Sequence, residues 1–222
     1  MKTCAFTGHR PKGLGYPESD ERCTALKEKL RSLIIRMIEE EGVTHFISGM
    51  AQGVDMYAAE IVLELKKQYP QITLECAIPY ERQAVRWPEA LRNRYFSIAE
   101  RCDRETMLQR QYTPDCLRKR NRYMVDRAEI VLAVWNGSPS GTGQTVWYAS
   151  RSGFSGRIPW KCNKKSLSAM AEGLLLSCYF PNTSQSASLT APLKGRWHGV
   201  SRVGEVTHLR YSLKSVTLDT TQ

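Results

Sequence analysis

Apolar positions along the chain fall into two alternating patterns. Short unbroken runs at Thr3 to Thr7, Thr44 to Ser48, Thr73 to Ile78, Glu105 to Leu108 and Glu129 to Trp135 have strand length, and their continuity suits strands buried on both faces. Between them, apolar residues return with a helical period over Ser19 to Glu41, Val54 to Gln68, Arg82 to Arg101, Asp115 to Arg127 and Thr145 to Ser152. In the first of these, Leu26, Leu30, Leu33, Ile34, Met37 and Ile38 recur as one buried helix face requires, and Ser19-Asp20 offers an N-cap. Strand and helix alternate throughout, so the predicted class is α/β: a doubly wound, mainly parallel sheet with helices on both faces.

The alternation dissolves after Gly156. SGRIPWKCN reads as a sixth strand and its exit, and SLSAMAEGLLLSCYF as a helix or a buried run. Residues 182–222 hold twelve Ser or Thr among 41, few acids and no sustained period. The division expected is a folded domain over 1–160 and an irregular, poorly ordered extension over 161–222.

Charge changes this picture less than its total suggests. The net charge is +10, but residues 154–222 carry nine bases and three acids, a net of +6, against 23 and 19 in the rest, a net of +4. Most of the excess lies in the extension, so it does not by itself argue for nucleic acid. No apolar run approaches the roughly 18 to 20 residues that span a bilayer, and MKTCAFTGHR turns polar too early for a secretory signal. The expectation is a cytoplasmic protein with no membrane partner. The seven cysteines are scattered without C-x-x-C pairs or nearby histidines, so free thiols are expected, with no metal and no cofactor.

In an open parallel sheet the ligand lies beyond the carboxyl ends of the strands, and three loops at that edge carry unusual chemistry. In TGHRPKGLGYP, Gly8 lets the backbone turn, and His9 and Arg10 bring donors suited to a phosphate or carboxylate. In FISGMAQGVDMYAAE, Gly49 and Gly53 flank the passage from strand to helix, Ser48 adds a hydroxyl, and Asp55 enters the first turn. There Asp55 serves either as a capping acid or as an acceptor for a ribose or base. NGSPSGTGQTVWYA combines glycines and hydroxyls with no acid, as a phosphate cradle at a helix N-terminus needs, although it is neither a Walker loop nor a G-x-G-x-x-G fingerprint.

Five blocks in order, TGHRP, SGMAQGVDMYAAE, AIPYERQAVRW, RNRYMVDRAEIVLAVWNG and SGTGQTVWYA, resemble the SLOG superfamily and specifically its YpsA-like branch, over roughly residues 1–153. The resemblance implies a Rossmann-like fold and a nucleotide or nucleotide-derived ligand at the sheet edge. It places Gly8, Arg10, Ser48, Gly49, Gly53, Asp55, Gly141, Thr142, Gly143 and Thr145 around a pocket, with Pro79, Tyr80 and Trp87 as an apolar wall for a base. A homodimer is implied by the family alone. The LOG-type hydrolases of the superfamily carry G-G-x-G-T-x-x-E; laid on Ser140 to Trp147, that motif puts Trp147 where the catalytic glutamate belongs. A sensor or regulator is therefore favoured over a phosphoribohydrolase. Relatives of the DprA type bind single-stranded DNA, and CLRKRNRYMVDR, with Arg118, Lys119, Arg120 and Arg122 beside Tyr123, suits either a nucleic-acid track or a solvated helix face.

Overall fold

The computed structural model describes residues 1–151 and the backbone of 175–179. Five strands form the parallel part of the sheet: β1 (Lys2–Gly8), β2 (Val43–Ser48), β3 (Thr73–Ile78), β4 (Arg104–Met107) and β5 (Ile130–Trp135). A sixth, β6 (Leu175–Tyr179), runs antiparallel to β5, and the order across the sheet is β4-β3-β2-β1-β5-β6. It falls in the stretch read from sequence as a helix or a buried run. The expected sixth strand in SGRIPWKCN and the expected irregularity of 161–222 otherwise lie outside the described residues.

Among the described residues six helices intervene: α1 (Pro11–Leu14), α2 (Glu21–Glu39), α3 (Val54–Leu65), α4 (Glu89–Arg101), α5 (Cys116–Asp126) and α6 (Gly141–Arg151). Strand side chains alternate between the faces. Cys4, Phe6, Phe46, Leu74, Cys76, Ile78, Leu132 and Val134 join the large core under α2, α3 and α4, whereas Ala5, Ile47, Ala77 and Val131 meet Met124, Val125 and Ala149 of α5 and α6. The six apolar positions that marked α2 are all buried, and Asp20 caps it by accepting from the Arg22 N–H at 2.9 Å.

Two boundaries differ from the sequence reading. Helix α4 begins at Glu89, seven residues after the expected Arg82, because Pro88 occupies its N-cap and restricts the residue before it, leaving a series of turns upstream. Helix α6 begins at Gly141, earlier than Thr145, because the Ser140 Oγ accepts the Gly143 N–H at 3.0 Å and starts the helix there.

The thinner α5–α6 face holds a buried acid. Glu75, 1% exposed, accepts from His45 Nε2 (3.1 Å) and the Tyr123 hydroxyl (2.6 Å), while Thr73 Oγ1 lies 2.8 Å from His45 Nδ1. Burial pushes the Glu75 carboxyl up, but these hydrogen bonds and the Arg104 guanidinium outweigh it and hold it at about 2. A depressed carboxyl stabilises the fold fully above its unfolded value of about 4.5, and that stabilisation is lost as pH falls toward about 2. Glu75→Gln is expected to flatten this acid limb in urea titrations run at stepped pH, while an unchanged limb would assign acid sensitivity elsewhere.

Candidate functional site

The chain winds outward from β1 in one direction through β2, β3 and β4, and in the other through β5. The reversal between β1 and β5 is the switch point where adjacent loops diverge and leave a crevice at the carboxyl edge. A cavity of about 350 Å³ lies there, lined by residues that include Gly8, Arg10, Asp55, Arg120, Asn121 and Thr142.

Its floor is set by the β2–α3 connection. Gly53 has φ +90, a conformation L side chains rarely adopt, and an added Cβ would stand 2.6 Å from the His9 carbonyl. Only glycine lets the loop after β1 and the start of α3 meet this closely, and the Val54 N–H donates to that same carbonyl at 3.3 Å. Ser48 ties the loop from within: its hydroxyl donates to the Asp55 carbonyl (2.8 Å) and accepts from the Met50 N–H (3.1 Å). Met50, with φ 54, is the described non-glycine residue in the left-handed region, and Gln83 Nε2 holds its carbonyl at 2.6 Å.

Asp55 and Arg120 form the centre, each 5% exposed. Arg120 Nη1 lies 3.6 Å from Asp55 Oδ2 and donates to the Gly49 carbonyl. Burial pushes the Asp55 carboxyl up; the charges of Arg120 and Arg10 and the N–H groups of Ala51 and Gly8 oppose that shift without cancelling it. Arginine keeps its proton in such surroundings. Arg120 Nε also donates to Asn121 Oδ1 (2.8 Å), whose Nδ2 donates to Thr145 Oγ1 (2.8 Å), which in turn donates to the Gly141 carbonyl (2.9 Å). This relay fixes the start of α6 against α5.

The β5–α6 loop closes the other side. Asn136 Oδ1 accepts from both the N–H (3.0 Å) and the hydroxyl (2.6 Å) of Ser138, and His9 Nε2, 2.9 Å from that oxygen, accepts the Asn136 N–H at 3.2 Å. That bond joins the loops after β1 and β5 across the switch point. Helix α6 has no acid in its first turn, and the N–H groups of Gly141 and Thr142 find no carbonyl within the helix. With exposed Arg10 on the rim, the cavity presents an anion-attracting wall above a paired acid.

Of the residues singled out from sequence, Gly8, Arg10, Asp55, Gly141 and Thr142 line the cavity. Ser48, Gly49, Gly53 and Thr145 stand behind it as supports, and Gly143 packs against the Trp135 ring. Pro79, Tyr80 and Trp87 lie beyond β3 and are not among the lining residues; Tyr80 meets Tyr112 edge-on at 5.3 Å and Trp87 meets Tyr95 at 5.5 Å. Trp147 is 55% exposed, with the Arg151 guanidinium over its ring at 4.2 Å.

Arg120 was read from sequence only as part of a nucleic-acid track or a solvated helix face, and Asn121 was not singled out. Arg120 is no part of a solvated face: Cys116, Arg120 and Met124 recur every fourth residue and form the buried stripe of α5. That spacing was the available signal, since a charged residue on an apolar stripe is buried only when paired.

Fold and crevice together define a Rossmann-like α/β protein with a site at its topological switch point. Residues 4–151 match the model of the YspA SLOG family, YpsA, and the chain belongs to that family. A UPF0398 protein of Halalkalibacterium halodurans is 34% identical over 147 residues, covering 63% of this chain and 77% of that protein. UPF0398 proteins of Bacillus thuringiensis (strain Al Hakam) and Bacillus cereus (strain AH187) are each 28% identical over 154 residues, 68% of this chain and 83% of theirs. No helix among the described residues is long and apolar enough to cross a membrane.

Proposed function

We propose that the cavity binds a nucleotide or nucleotide-derived ligand and that the protein acts as a sensor or regulator. The observation that carries this reading is the meeting of the acid-free N-terminus of α6, Arg10 and the Asp55–Arg120 pair around one cavity at the switch point. A phosphate takes the first-turn N–H groups and Arg10, and the remainder of the ligand extends over the paired acid. Binding is favoured over turnover because the position of the hydrolase glutamate is Trp147, which is solvent-exposed and absent from the cavity lining.

Thermal denaturation with a panel of nucleoside mono- and diphosphates and ADP-ribose tests the reading. A ligand at about 100 times its Kd stabilises by about 2.7 kcal/mol, several degrees for a chain of this size. Gly141→Asp is the matched variant. A Cβ at Gly141 meets no atom within 4 Å, so the variant folds, and an acid in the first turn of a helix is itself stabilising. The variant is expected to melt no lower than the parent and to lose the ligand shift through charge repulsion. A shift produced only by single-stranded DNA, and only at low salt, would overturn the reading.

A further inference from the structure

Asp55 and Arg120 both line the cavity and are 95% buried, yet neither is saturated by protein partners. An ionised carboxylate accepts about four hydrogen bonds. Asp55 Oδ2 has the Ala51 N–H at 3.4 Å, the long limit for a hydrogen bond, and Arg120 Nη1 at 3.6 Å, beyond it. Capping does not account for the acid, because these partners come from the loop before α3 and from α5, and not from the first turn of its own helix. Arg120 uses Nη1 and Nε, which leaves Nη2 without a protein acceptor among the described residues. Buried groups with unfilled hydrogen-bonding capacity are costly, so the site is built to be completed by what it binds.

The chemistry of that completion is restricted. A phosphate is repelled by the carboxylate and belongs at the wall of Arg10 and α6, while a metal ion at Asp55 is opposed by two neighbouring guanidinium groups. What remains is a neutral donor joined to an anion, and a carboxylate matches the paired hydroxyls of a pentose. We propose that Asp55 reads the sugar: it accepts hydrogen bonds from the vicinal ribose hydroxyls, so that the site takes ribonucleotides and discriminates against their 2′-deoxy counterparts. The proposal rests on the nucleotide reading above and adds to it the sugar specificity. Loss of one hydrogen bond to a charged acceptor weakens binding by about 10- to 100-fold.

Calorimetric titration of the full chain with AMP, ADP, 2′-deoxy-AMP and 2′-deoxy-ADP, with inorganic phosphate as a control, measures the ratio directly. The expected result is at least tenfold tighter binding of the ribonucleotide in each pair. Asp55→Asn is expected to bring the ratio toward one, chiefly by weakening the ribonucleotide. The wild-type ratio stands as a test even if that variant folds poorly. Equal affinities overturn the sugar reading and leave the nucleotide site standing; no binding by any of the four overturns both.

Discussion

Arg120→Met is expected to lower stability by about 3 to 5 kcal/mol, the cost of removing one partner from a buried ion pair. The guanidinium faces a carboxylate that is itself 5% exposed and whose pKa burial already pushes up, so the variant strands Asp55 without its main counter-charge. The same change takes the donor from the Gly49 carbonyl and the Nε–H from Asn121. The thermal midpoint should fall by roughly 10 °C or more. Adding Asp55→Asn should restore part of the loss, because it removes the stranded charge. An Arg120→Met protein within about 0.5 kcal/mol of the parent would mean that water reaches the pair.

Gly49→Ala is expected to cost about 3 kcal/mol, although it adds one methyl group. That Cβ would overlap the Arg120 guanidinium and stand 2.8 Å from Asp55 Oδ2. A guanidinium is the far end of a long side chain and elsewhere moves aside at little cost. Here it is held by Asp55, the Gly49 carbonyl and Asn121, so movement breaks the pair that the methyl displaces. The second substitution is therefore expected to cost less in an Arg120→Met background than in the parent, and denaturant titrations of the four proteins give this coupling directly. Additive losses would show that Gly49 and Arg120 act independently.

These residues also mark what a sequence conveys and what it hides. The strands were legible because a parallel sheet buried on both faces demands unbroken apolar runs, and β3 matches its expected span from Thr73 to Ile78. The rim loops were legible because close backbone approach leaves glycine as its trace, as at Gly53 beside the His9 carbonyl. Arg120 was hidden because α5 reads as a basic helix, with Arg118, Lys119 and Arg122 exposed around it. Burial of one base among four is decided by the acid it meets, and Asp55 lies 65 positions earlier in the chain. The role of Asn121 was hidden for the same reason, since its bond to Thr145 joins two helices whose approach local sequence does not record. The late start of α4 was legible in Trp87-Pro88, where the restriction before proline outweighs helical period.

In the proposed site an anionic ligand sits at the start of α6 against Arg10 and the Asp55–Arg120 pair. Amide chemical shifts of the full chain, followed by NMR during titration with AMP, test it most directly. Saturable shifts are expected at Gly8, Arg10, Gly141 and Thr142, absent in Gly141→Asp. Shifts confined to the outer face of α5, around Arg118 and Arg122, or no saturable shift at the four rim amides, would contradict it.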